Sequence, residues 1–375
     1  MRSVLVAAVI LTACSRGVPA PDPVVVPTRA QADAFATKFA AAMSACAPEL
    51  TNMFDIDQLA RRALDGRGLP ADAARGVVAG MKDSGSLLGV LCKQFPPGTH
   101  YTLLRVREVG GAPRPLYRVT LGGDGGTNYH EVELSVSPED HQVRGIDMYI
   151  YSSGEKLSVS LGDMISQAMA ASDRGNDIGA TGVAMGRMRE KFTRGDWAGA
   201  RAELAGMPAE LRKTKAMRLV AVQIAMNLDE AGYAAEIAGY QRDFPDDPSL
   251  DLVSIDGYFM KKDFAALRTA LARLDQRVGG DPYLDVLRAN ADFLDGKPDA
   301  AIADARSATS REPTMPEGWI NLARFEAALG HTTEAIAALD HLPGLGQALD
   351  DQFFIDSPGL APIRETDEFK AHHKP

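Results

Sequence analysis

The chain has 375 residues, 45% of them apolar and 24% charged. That length can hold two cores and that composition is globular, which excludes a disordered polymer. A net charge of -10 excludes a nucleic-acid-binding protein as well, because a phosphate backbone requires a basic surface.

At the amino terminus Arg2 precedes the apolar run Val4 to Leu11, only about 8 residues where a bilayer crossing takes about 20. It reads as a signal peptide. Its end, Leu11-Thr12-Ala13-Cys14, resembles the lipobox of bacterial lipoproteins, and residues 1–14 are assigned to it. The resemblance implies that Cys14 carries the lipid and that acyl groups such as palmitate, rather than a helix, form the anchor. With Ser15 next, it also implies a place on the outer membrane facing the periplasm. Ordinary secretion with cleavage nearby is the other reading of the same run.

Removing Cys14 leaves the even pair Cys46 and Cys92 in a chain bound for an oxidising compartment. Either they form a disulfide, closing a loop of roughly 47 residues worth about 4 kcal/mol, or they are two buried thiols. Residues 15–27 carry four prolines and read as an extended tether.

The body from 28 to 172 is expected to be an α+β domain. Thr28-Arg29-Ala30-Gln31 has the form of a capping box, and Phe35, Phe39 and Met43 follow four apart as a buried stripe. Asp55 to Leu64 and Ala71 to Cys92 continue the helical pattern, with Leu59, Val77, Met81, Leu88 and Leu91 as core. From Tyr101 the period becomes two. Tyr101–Val109, Leu116–Leu121, Tyr129–Val136 and Val143–Tyr151 predict four strands, joined by turns short enough for an antiparallel meander. His130, Val132, Leu134 and Val136 share one face, as do Ile146, Met148 and Ile150. Helices before a curved meander resemble a nuclear-transport-factor-2-like or cystatin-like arrangement. Ser152 to Glu155 predicts the start of a further helix, and the polar, glycine-rich residues 173–182 a linker.

Residues 183–345 carry a 34-residue period. Gly296 is followed by Ala301-Ile302 and Ala305, and Gly330 by Ala335-Ile336 and Leu339. Such a helix pair cannot bury its apolar face alone and stacks on copies of itself. Trp319, Leu322, Ala323, Gly330, Ala335 and Leu339 stand as the large, small and turn residues of a tetratricopeptide repeat do, and the block resembles one. Turns at Gly195, Leu228 or Asp229, Lys262, Gly296 and Gly330 give five pairs, an all-α solenoid. Residues 346–375 supply a capping helix and tail, with Phe353-Phe354-Ile355, Leu360, Ile363 and Phe369 as its apolar stripe.

The resemblance implies that the first helices line a groove for a protein or peptide. Six positions before each turn stand Arg189, Gln223, Asp256, Asn290 and Arg324, and three before stand Phe192, Met226, Phe259, Phe293 and Ala327. Polar groups for a peptide backbone would alternate with apolar anchors, or the aromatic series is core within each pair. Leu252, Val286 and Ile320 depart from the basic set with which chaperone-binding tetratricopeptide domains hold a carboxylate.

A second candidate surface is the polar strand face with Tyr129, Glu131, Asp147, Tyr149 and Tyr151, which either recognises a ligand or is covered. Ser153 to Lys156 has S-x-x-K spacing, but no S-D-N or K-T-G follows. Seven histidines, His100, His130, His141, His331, His341, His372 and His373, lack metal-ligand spacing. No metal, cofactor or catalysis is expected. The expected function is a membrane-anchored periplasmic scaffold for a polypeptide partner. The alternative is a small ligand held by the α+β domain, with the repeats serving oligomerisation.

Overall fold

The computed structural model describes residues 23–68, 75–76, 78–80, 87–93, 95–122, 126–173 and 178–373. The signal run, Cys14, residues 15–22, Val77 and Met81 lie outside them. By internal contacts the chain forms two units, Met1–Asn227 and Leu228–Pro375. The division falls inside the second expected helix pair rather than at 173–182.

In the first unit α1 (Arg29–Ala45) begins at the expected capping box, with the Thr28 hydroxyl accepting from Gln31 N–H and the Gln31 amide oxygen accepting from Thr28 N–H at 2.9 Å. Two donors that every helix start leaves open are thereby satisfied. Phe35, Phe39 and Met43 are buried. α2 (Leu50–Met53), α3 (Ile56–Leu64) and α4 (Leu87–Cys92) follow. Cys46 and Cys92 are joined as a disulfide with Cα atoms 5.7 Å apart, so the ends of α1 and α4 are fastened together. The tether is not wholly free: Val25 donates to the Ser135 hydroxyl at 3.0 Å, and its carbonyl accepts from Val136 N–H at 2.8 Å.

The sheet is an antiparallel meander in the order β1-β2-β3-β4-β5. Its strands are β1 (His100–Val109), β2 (Ala112–Thr120), β3 (Thr127–Val136), β4 (Val143–Ile150) and a two-residue β5 (Glu155–Lys156), the last too short to show alternation. β2 starts before Pro113 and Pro115, where a strand was not expected. That stretch pairs only with β1, since pairing with β3 runs from Leu116 to Thr120, and neither proline owes a hydrogen bond to β3.

One face of the sheet packs on α1, where Tyr101, Tyr117, Val132, Leu134 and Met148 share a core with Phe35 and Phe39. Ile146 was expected among them. A register shift instead sets Leu134 opposite Gly145 and Glu133 opposite Asp147, which makes Ile146 the extra residue of a bulge. It lines a small cavity with Gln58 and Ser135.

The helix expected from Ser152 starts later, as α5 (Leu157–Asp173), because Glu155 and Lys156 pair with β4. Asp147 reaches over from the sheet to accept from Ser158 N–H at 3.1 Å and from its hydroxyl at 2.6 Å, in place of a local capping box. α6 (Ile178–Thr193), α7 (Trp197–Ala205), α8 (Ala209–Arg212) and α9 (Lys215–Met226) complete the unit, so the expected linker is helical from Ile178. Lys215 reaches Glu155 at 3.7 Å, tying these helices to the sheet.

The second unit is helical: α10 (Glu230–Asp243), α11 (Leu250–Val253), α12 (Ile255–Lys261), α13 (Phe264–Val278), α14 (Pro282–Leu294), α15 (Pro298–Arg311), α16 (Pro316–Ala328) and α17 (Thr332–Leu339). Three hairpins reverse at Lys262, Gly296 and Gly330, with φ of 55°, 72° and 79°. A left-handed residue after the first helix is what lets the chain turn back. Five places on, Leu267, Ala301 and Ala335 are each 0% exposed, the close helix contact that the period implies. In the first unit α6 and α7 turn likewise at Gly195, φ 69°. Among the described residues no left-handed position separates α9 from α10.

α18 (Asp351–Asp356), α19 (Ala361–Arg364) and α20 (Asp367–His372) close the chain. Phe353, Phe354, Leu360, Ile363 and Phe369 join the core of α14 to α17. Ile355, expected with them, is 69% exposed.

Candidate functional site

The expected groove residues lie on the first helix of each hairpin, and each unit holds part of the series. In the first unit Arg189 and Gln223 are exposed, while Phe192 and Met226 are half-buried. The Phe192 ring stands edge-on to Trp197 with centroids 4.9 Å apart, filling the hairpin of α6 and α7. In the second unit Asp256 is exposed and Phe259, Asn290, Phe293 and Arg324 are half-buried. Phe293 stacks at 4.6 Å on Phe325, which is wholly buried. Phe192 and Phe293 are therefore packing residues between helices.

The exposed apolar anchors fall one residue later. Leu294 is 62% exposed and Met260, one repeat earlier, 42%; Leu329, at 39%, stands two residues after Ala327 and out of this register. The signal was present in the doublets Phe259-Met260 and Phe293-Leu294. Neighbouring residues on a helix point about 100° apart, so one member of a doublet can enter the core while the other leaves it.

Asn290 and Arg324, equivalent positions 34 residues apart, are brought together. The guanidinium donates to Asn290 Oδ1 and lies 5.3 Å from the centre of the Phe325 ring; burial lowers its pKa. Gly359 approaches from the C-terminal segment so closely that an added Cβ would sit 3.4 Å from Arg324 Cγ.

Most other carboxylates on these helices are clamped, and with the repeat period. Asp251 accepts from Arg273 and Arg277, and Asp285, one repeat on, from Ser307 and Arg311. In the next repeat Trp319 and His341 take those places and stack with centroids 3.7 Å apart. Asp292 pairs with Arg268, and Glu326 with Arg306. Asp256 differs: among the described residues no donor or cation pairs with its carboxyl, and neighbours remove enough water from it to raise its pKa.

The second candidate surface is closed. Tyr129 and Asp147 are 0% and 1% exposed, Glu131 5% and Tyr151 7%; Tyr149 is half-buried. Glu131 meets Arg107 and Arg114, and Glu133 meets Arg62, Arg114 and Lys156. Burial would raise the pKa of Glu133, but the hydrogen bonds from Lys156 and Arg62 outweigh it and hold the carboxyl below its ordinary value. Arg107 also donates to the Tyr151 hydroxyl at 3.0 Å. Strand alternation marks such a face as polar without telling solvent from a covering layer, here α3 and α5.

Ser153 donates to the Ile150 carbonyl at 3.1 Å while Lys156 reaches Glu133, so the S-x-x-K spacing does not bring serine and lysine together. The space between sheet and α1 is filled by rings, with Phe39 and Tyr117 centroids 5.3 Å apart. Outside it, a cleft of about 1060 Å³ runs between α1 and the β3–β4 turn, lined by Lys38, Asn52, His141 and Arg144 among others. Among the described residues no group of three or more His, Cys, Asp or Glu could hold a metal, and no helix is long and apolar enough to cross a membrane.

The left-handed turn, the small buried residue five places on, and Trp319, Leu322 and Ala323 on the preceding helix form one pattern. Residues 293–351 match the tetratricopeptide repeat family. No curated protein and no solved structure matches the chain. The tetratricopeptide stretch runs from the end of α14 through the hairpin of α16 and α17 to the start of α18. An antiparallel sheet with helices is thus followed by a long helical region that contains tetratricopeptide sequence. Repeats of that kind indicate protein–protein interaction.

Proposed function

We propose that the chain is a non-catalytic, lipid-anchored protein of the bacterial envelope that holds a polypeptide partner on the first helices of its second unit. The observation that carries this is Leu294, 62% exposed at the end of α14, with Met260 at the same point of the preceding repeat. Large apolar side chains left in water at the same point of two successive repeats are what an extended partner would cover. The lipobox ending at Cys14 supports the anchor, and the Cys46–Cys92 bridge supports an oxidising compartment.

Photo-crosslinking in cells from a probe at Leu294 tests the partner. A discrete adduct lost on Met260→Ser is expected; no adduct from either position, with the protein folded and membrane-bound, refutes the groove. Cys14→Ser should release the protein from membranes, and retention there would refute the anchor. The cleft beside α1 favours a second reading, a small ligand on the first unit. A rise in melting temperature of the full chain with a lipid or metabolite extract would support it.

A further inference from the structure

We infer that the partner presents a cationic, apolar segment, a lysine or arginine pairing with Asp256 while apolar side chains cover Met260 and Leu294. This rests on the reading that the first helices of the second unit carry the partner.

The charge of the chain is unevenly divided. Residues 228–375 hold 27 acidic and 14 basic side chains, a net of -13, whereas residues 1–227 hold 23 acidic and 26 basic. A field of that sign draws cationic chains and repels acidic ones before contact. Inside the unit four buried carboxylates are already paired with arginine: Asp251 with Arg277, Asp285 with Arg311, Asp292 with Arg268 and Glu326 with Arg306.

Asp256 has none among the described residues, and it sits one helical turn before Met260, on the same side of α12. Its equivalent in the next repeat, Asn290, is neutral and already engaged by Arg324. Among the described residues this surface therefore offers, beside its apolar anchors, the unpaired carboxylate of Asp256. A partner that covered Met260 without bringing a cation would strip further water from Asp256 and leave a charge buried alone. A partner with a cation at that point removes the cost. Neutral and acidic partners are rejected by the same group.

The test is fluorescence anisotropy of the full chain with a labelled peptide of alternating lysine and leucine, and with its glutamate–leucine counterpart, at low and at physiological ionic strength. The lysine peptide should bind, and the glutamate peptide at least about tenfold more weakly. Asp256→Asn should weaken the lysine peptide about five- to tenfold and narrow the gap between the two. Leu294→Ser should weaken binding as well. If Leu294→Ser weakens both peptides alike while Asp256→Asn changes neither, the groove stands and the cationic partner is overturned. If neither substitution matters, the groove falls with it. Asp256→Asn removes no hydrogen bond or ion pair among the described residues, so the melting temperature should hold or rise. A marked fall would show a structural role for this carboxyl and overturn the inference.

Discussion

His130 is expected to make the first unit sensitive to mild acid. Its ring is 3% exposed, with Nδ1 2.9 Å from the Tyr101 hydroxyl and Nε2 3.2 Å from Asn128 Nδ2. The Asn128 amide is fixed in orientation, because its oxygen accepts from the N–H groups of Tyr129 at 2.8 Å and Ser152 at 2.9 Å. Its NH₂ therefore donates to Nε2, and the imidazole carries its single proton on Nδ1 toward Tyr101. Burial lowers the pKa of His130 to about 3, and a second proton would point a donor at a donor.

The unfolded chain binds that proton near pH 6.5. Between the two values the unfolded state holds more protons, so stability rises with pH and is lost as pH falls below about 6.5. From pH 7 to pH 5 the loss is about 2 kcal/mol. For a unit of 227 residues that is a fall in Tm of about 4–8 °C. Calorimetry of the full chain across this window, beside His130→Gln, would show the slope in the parent and its absence in the variant. An NMR titration in which the His130 ring protonates between pH 5 and 7 without unfolding would refute the reasoning.

Three further outcomes are expected. The paired substitution Cys46→Ser with Cys92→Ser should lower stability by about 2–4 kcal/mol; identical melting with and without reductant in the parent would speak against the bridge. Gly257→Ala places a Cβ 2.4 Å from the ring of Tyr233, and since Tyr233 is buried the strain should cost about 1–3 kcal/mol, read as a lower denaturation midpoint. Ala335→Trp overpacks a residue that is 0% exposed between repeats and should cost about 1–3 kcal/mol or more; an unchanged melting temperature would contradict the repeat register.

The sequence by itself determined what depends on neighbours along the chain. The capping box at Thr28, four of the strands and their turns, and the places of the turns at Lys262, Gly296 and Gly330 were all legible, while the left-handed backbone of Lys262 was not. Each follows from a local period or from one residue's φ, ψ preference. Local pattern also placed Ala301 and Ala335 at helix crossings, since a 34-residue repeat fixes where small residues must recur.

Tertiary structure decided which exposed-looking surfaces are exposed. The tyrosine and carboxylate face of the sheet alternates as a solvated face does, yet it is closed by α3, α5 and a layer of arginines that come from distant parts of the chain. On the first helices both members of Phe293-Leu294 are apolar, and only packing against Phe325 determines that the phenylalanine turns in and the leucine out. Ile146 left its face because a bulge, set by pairing between strands, shifts the alternation by one. Asp256 shows the same division: its position was read from the period, but that among the described residues it lacks a cation while Asp251 and Asp285 have theirs depends on side chains meeting across helices.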